Sequence, residues 1–526
     1  MEERLQVKGV DQAKVDSLEA VFQERLVQKG LGSNAPRHQP LQAIMEMLSK
    51  LGARTAVIQK KVQDPDFLAE YAAYYSRWTG DVPRYCDRIH FFSDPPVSEN
   101  VLEVIDQMAD APDAYLGFVT LRPISMSPVA ASILKPLVDV APSYLLSNDE
   151  FVVNLAGRRF AVNGTPFMQQ DNAVGACAQA SIWMALRTLR KKAGQAAFNP
   201  AQITDAATKY AVVGRVLPNR AGLTVQQITE AIRTSGYAPH VLPVRQLNEP
   251  ASEPVVDKIK FELYPYVESG IPVLLLLFPD NSEGHAVVVI GHGWNRAPAR
   301  LIEIGHIDPF QGGAKIRLVD AASWVEPFII HNDNSGPYLA LPDVSSTGYA
   351  LNQACYAIPL LQPEIFIDGA EAKRSCIKLL SDSIGINGQS PDGHSLPSDL
   401  VVRTYLIDRS EFRKNILKSA EASTVKAYFR MKWMPKRIWV TEFNLLDGYE
   451  ASPDHAGRRL GQIILDPAAE AEEGAFLSIY LSRELLPSMA QAWEGIVIDR
   501  DVFTGEIEAF PVETFDASTM VRSPVN

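Results

Sequence analysis

Between Ala176 and Leu318 the chain segregates its secondary-structure signals, helices first and strands after. Helical periodicity covers Ala176–Lys192, Gln202–Tyr210 and Val225–Ser235. Short apolar runs then predict strands at Val273–Phe278, Ala286–His292, Leu301–Ile307 and Lys315–Leu318. A parallel doubly wound domain would alternate the two. This order instead predicts an α+β region, with helices packed on an antiparallel sheet.

The flanks differ in texture. Val15–Val27, Leu41–Val62 and Phe67–Trp78 carry helical spacing. From Arg88 the pattern becomes mixed, with strands at Ile89–Phe92 and Tyr115–Arg122 around a helical Val101–Met108. Phe151–Val162 reads as a hairpin turning at Gly157. A Pro- and Ser-containing stretch, Leu341–Ser346, marks a boundary. Beyond it strands at Val401–Ile407, Arg437–Phe443, Leu460–Leu465 and Phe476–Leu481 accompany a helix at Ser410–Ala420. A chain of 526 residues fits about three domains. We expect a helical then α/β N-terminal region (1–158), a central domain (159–345) and an α+β C-terminal region (346–526).

Composition narrows the function class. Four cysteines, scattered singly and without a CxxC pair, exclude a disulfide scaffold and a thiolate metal module. A net charge of −12 argues against a nucleic-acid footprint. The longest apolar run, Ile271–Phe278, is interrupted by Pro272 and is far too short for a bilayer. The charged start Met1-Glu2-Glu3-Arg4 has no signal-peptide core, so the expectation is a cytoplasmic protein without membrane contact. No His-x3-His or His-Glu-x-x-His pair, dinucleotide fingerprint or phosphate loop occurs, so neither metal nor cofactor is expected.

The chemistry-bearing segment runs from Met168 to Leu186, where a polar loop containing Gly175 leads into a helix whose first turn holds Cys177. Free N–H groups at a helix start favour a thiolate. The small neighbours Ala176 and Ala178 leave the sulfur accessible. A second segment, Glu283–His292, opens an apolar strand with His285 between Gly284 and Ala286. A third places Asp308 before Pro309 at the end of another strand, able to accept from the imidazole and fix its tautomer. Thiol, base and orienting group make a set for covalent acyl transfer. Gln170, or Gln169 beside it, supplies an amide for the oxyanion together with the Cys177 N–H. Gly175, Gly284 and Asp333 are the candidate groove residues. Asp333 lies in the turn Phe328–Tyr338, which reads equally as groove lining or as an Asx-rich hairpin loop.

The ordered pieces Gln–loop–Cys-Ala-x-Ala, Gly-His-Ala-Val-Val-Val-Ile-Gly and Asp-Pro resemble papain-like cysteine peptidases, especially the bacteriocin-processing, double-glycine branch, over about residues 160–345. The resemblance implies a papain-like domain with Cys177 as nucleophile, His285 as acid–base partner, Asp308 as orienter and Gln170 at the oxyanion. Two positions depart from the family pattern. Ala178 stands where a glycine commonly follows the cysteine, and Asp171 stands six before Cys177, where the glutamine is usual. The expected activity is thiol-dependent cleavage of a peptide or isopeptide bond in a protein or peptide substrate. Acyl transfer by the same groups and a non-catalytic binding or defence module are the alternatives, with the flanking regions able to engage a protein partner.

Overall fold

The computed structural model describes residues 4–10, 15–28, 39–124, 126–139, 142–171, 177–210, 222–247, 249, 253–279, 284–308, 315–385, 396–419, 423–449, 459–469, 472–486, 493–501, 504 and 506–513. The chain is mixed α+β and forms two compact units, each discontinuous in sequence. The first comprises Met1–Ser252, Gly270–Gly293 and Pro327–Gln362. The second comprises Glu253–Ser269, Trp294–Glu326 and Pro363–Asn526. Residues 253–269 and 294–326, inside the middle segment of the sequence division, thus belong to the second unit.

The first unit is built on two larger sheets and a two-stranded antiparallel hairpin, Asp149–Leu155 with Arg158–Gly164. One runs in the order Leu5–Gly9, Thr55–Val62, Cys86–Phe92, Tyr115–Leu121, Ile133–Leu134, antiparallel throughout. Thr55–Val62 is a strand and not the continuation of a helix. The helix Gln39–Lys50 stops before Gly52, whose φ of 76° breaks the helical path. The β-branched Thr55, Val57, Ile58 and Val62 then favour the sheet.

The second sheet carries the order Leu242–Pro243, Ala354–Leu361, Val273–Leu277, His285–Trp294, Val325–Asn332, Gly336–Leu341. Val273–Leu277 and His285–Trp294 are neighbouring antiparallel strands with Leu277 opposite His285, so the histidine sits at the end of the pair where the chain passes from one strand to the next. Both strands are buried along their whole length, which is why they read as continuous apolar runs. A short strand, Ser143–Leu145, pairs the far end of the histidine strand so closely that a Cβ on Gly291 would stand 2.1 Å from the Tyr144 carbonyl oxygen. The strand Ala354–Leu361 lies beyond the Leu341–Ser346 boundary yet occupies the middle of this sheet, beside Val273–Leu277.

The helix Cys177–Lys192 packs against the Val273–Leu277 strand. Ile182, Trp183 and Leu186 are buried in the core of this unit. Ser181 is buried as well, and its hydroxyl donates to the Ala286 carbonyl at 2.9 Å, fastening the helix to the histidine strand one residue from His285.

The second unit centres on an eight-stranded sheet, from Glu303–Ile307 and Ile316–Asp320 through Asp399–Asp408, Arg437–Leu445, Arg459–Leu465 and Phe476–Ser482 to Trp493–Arg500 and Ile507–Glu513. Ile316–Asp320 and Asp399–Asp408 pair in parallel, and the other neighbours are antiparallel. The helices Glu253–Glu268 and Gly369–Gly385 pack together in this unit. Among the described residues, no helix is long and apolar enough to cross a membrane.

Candidate active site

Cys177, His285, and Asn332 with Asp333 and Tyr349 come from the three separate stretches of the first unit. Cys177 is the first residue of its helix and is half-buried. The backbone N–H groups of Cys177, Ala178 and Ala286 face its sulfur and hold the thiol pKa down. That is the helix-start effect expected from the sequence, reinforced by the strand that carries His285. It does not prevail. Burial, with a smaller contribution from the Asp333 charge, pushes the thiol up to about 11. The resting group is therefore a thiol, a correction to the expected thiolate.

His285 is 5% exposed and carries a defined tautomer. Its Nε2 lies 2.9 Å from Asn332 Oδ1. The same Oδ1 accepts the backbone N–H of Asn334 at 3.0 Å. An atom that accepts from a backbone N–H is the amide oxygen, so the ring nitrogen facing it must carry the proton. Nε2 is the donor and Nδ1 is left with its lone pair. Burial lowers the His285 pKa, and the Asn332 hydrogen bond opposes that shift. The ring is stacked on Tyr349, with centroids 4.7 Å apart and planes 23° apart.

The hydrogen bond expected from Asp308 is thus made by Asn332. Asp308 follows the strand Glu303–Ile307 in the second unit and is exposed. Asn332 ends the strand Val325–Asn332, and its Asx turn shapes the tight connection to Gly336–Leu341. The Phe328–Tyr338 segment is therefore a hairpin loop that also reaches the histidine.

Asp333 is fully buried, with its carboxylate 3.6 Å from His285 Nε2. Neither oxygen makes a hydrogen bond. The N–H groups of Asp333 and Asn334 lie on its side and lower its pKa somewhat. The Asn334 N–H is already committed to Asn332. Burial dominates and holds the Asp333 carboxyl well above the usual range. Burial thus shifts all three groups toward their neutral forms, raising Cys177 and Asp333 and lowering His285.

The remaining candidates divide. Gln169 is buried, and its Oε1 accepts the Val129 N–H at 3.3 Å, which commits that amide to the scaffold. Gln170 is half-buried. Asp171 accepts from the Tyr75 hydroxyl. Gly284 is exposed beside His285, and a Cβ there would meet the Phe278 ring at 2.7 Å, so only glycine leaves that aromatic in place. Gly175 lies outside the described residues. Among the described residues no group of three or more His, Cys, Asp or Glu side chains is arranged to hold a metal ion.

Asn332 and Tyr349 are the site residues that sequence reasoning missed. The available signal for Asn332 was an Asn-Asp pair following an apolar strand in a Gly-Pro-bounded turn. Tyr349 had none, because it sits in a polar stretch between two strands. No family model matches this sequence, and a search of the curated proteins finds no match.

Proposed function

We propose that the protein is a thiol-dependent hydrolase of peptide or isopeptide bonds, with a papain-like arrangement of its first unit. The observation that carries this reading is the shared Asn332 oxygen, which makes His285 Nε2 the donor and leaves Nδ1 as the base, beside a helix-start cysteine whose sulfur faces the Ala286 N–H. In this reading Nδ1 removes the Cys177 proton as the sulfur attacks the carbonyl carbon. The imidazolium then protonates the leaving amine, and water releases the acyl group from sulfur. The Cys177 N–H, with Gln170, receives the oxyanion. Because the resting pair is neutral, proton transfer accompanies attack and no standing thiolate–imidazolium pair is required. The same groups serve transfer to an amine in place of water.

Comparison of protein N-termini in cells carrying wild type or Cys177→Ala tests the reading. New N-termini that depend on Cys177 are expected. Identical N-terminal profiles, together with no acyl adduct on Cys177 from an activated ester, would leave a non-catalytic binding module as the account.

A further inference from the structure

The chain on both sides of Cys177 is fastened to the same N-terminal region. On the loop side, the buried Arg122 donates from Nη2 to the Gln169 carbonyl at 2.7 Å and from Nε to the Ser127 carbonyl at 2.7 Å. The Gln169 N–H donates to the Val129 carbonyl at 3.1 Å. Two residues on, Asp171 is held by the Tyr75 hydroxyl. Gln170 therefore lies between two anchored residues. On the helix side, Asp66 of the helix Pro65–Ala73 accepts Trp183 Nε1 at 3.2 Å and pairs with Arg187 at 2.9 Å. Trp183 and Arg187 are four apart, hence on one face of the cysteine helix, with the guanidinium 5.0 Å over the indole. Glu70, from the same short helix as Asp66, pairs with Arg122 at 3.3 Å and so joins the two sides.

This network is costly to bury. Asp66 is pushed up to about 6 and Glu70 to about 8, both mainly by burial, so the arginines beside them offset only part of the desolvation. Buried ion pairs of this kind are weak evidence for stability, which leaves the geometry they impose as the reason for keeping them.

We propose that Asp66, Tyr75 and Arg122 are positioning residues for Cys177, so that the N-terminal region is a built-in clamp of the active unit and not a separable appendage. Asp66 sets the seating of the cysteine helix, while Tyr75 and Arg122 set the loop that bears Gln170. The inference rests on the reading of Cys177 as the attacking atom and His285 as its base.

The test uses the full chain and measures acylation of Cys177 by p-nitrophenyl acetate, read by mass. It compares wild type, Tyr75→Phe and Asp66→Asn, each with and without His285→Ala. In wild type, losing His285 should slow acylation about 100-fold. In Tyr75→Phe and Asp66→Asn the same loss should matter about tenfold less, because a misplaced sulfur no longer uses the base. Thermal midpoints should hold, and the buried Cys355 and Cys376 should stay protected from iodoacetamide. An undiminished His285 effect in both variants overturns the clamp. So does a fall in midpoint with all cysteines becoming reactive, which would mark a purely structural role. A wild type indifferent to His285→Ala removes the hydrolase reading and the clamp with it.

Discussion

Two fully buried carboxyls stand in opposite circumstances. Asp320, in the second unit, accepts from Lys373 and from the Ala322 N–H at 2.9 Å. Lys373 in turn reaches the Phe261 carbonyl at 3.4 Å and lies 4.0 Å over the Phe261 ring. Asp333, in the first unit, has no hydrogen bond to either oxygen and an imidazole 3.6 Å away. Satisfied burial is what a structural ion pair needs. Unsatisfied burial costs stability, and a fold keeps it where the group has other work. The difference separates a carboxyl satisfied by its surroundings from one left unsatisfied beside the candidate site.

The largest expected effect lies on the structural side. Lys373→Ala leaves Asp320 buried without its cation and should cost about 3–5 kcal/mol in denaturant unfolding. Acylation of Cys177 in the fraction still folded should match wild type. A small stability loss would make the two carboxyls alike.

On the site side, Asn332→Ala should slow Cys177 acylation about tenfold to 100-fold, because the imidazole loses the acceptor that sets its tautomer. Asn332→Asp, which keeps an acceptor, should recover much of that rate. Asp308→Ala should remain within about twofold of wild type. The opposite ranking would return the orienting role to Asp308.

Asp333→Asn removes an unsatisfied carboxyl and should stabilise the protein by ~1 kcal/mol at neutral pH. Burial raises the Asp333 pKa. Its stabilising contribution is therefore fully present below the unfolded value of 3.8 and is lost as pH rises through the higher folded value. The advantage of the Asn variant should widen as pH climbs above about 4. Midpoints that run parallel with pH would show that Asp333 keeps an ordinary pKa.

The smallest effect concerns the resting thiol. With Cys177 pushed up to about 11, its iodoacetamide labelling should climb about tenfold per pH unit through neutrality, without a plateau. A plateau near pH 7 would indicate a standing thiolate.

Two members of the candidate site are legible in the sequence, where chemistry-bearing residues coincide with a change of periodicity. Cys177 stands where a polar loop becomes a helix, and His285 where a polar loop becomes an apolar strand. Both are visible without coordinates because they occupy element ends. Asn332 is not, because an Asx-rich hairpin turn satisfies local rules by itself and its reach to His285 is a product of strand order. The clamp is hidden for a related reason. Asp66, Tyr75 and Arg122 are ordinary polar residues until the fold buries them beside the segment around Cys177. Local pattern misleads at Thr55–Val62, where apolar spacing suits a helix but β-branching and Gly52 decide for a strand. The helix Glu253–Glu268 escapes notice for the opposite reason, since Pro265 sits inside it.

The central claim is that His285, with its proton fixed on Nε2 by Asn332, is the base for Cys177. The most direct measurement is the rate at which p-nitrophenyl acetate acylates Cys177 in wild type, His285→Ala and Asn332→Ala. The account predicts a fall of about 100-fold for the first variant and a smaller fall for the second. Equal rates in all three would contradict it.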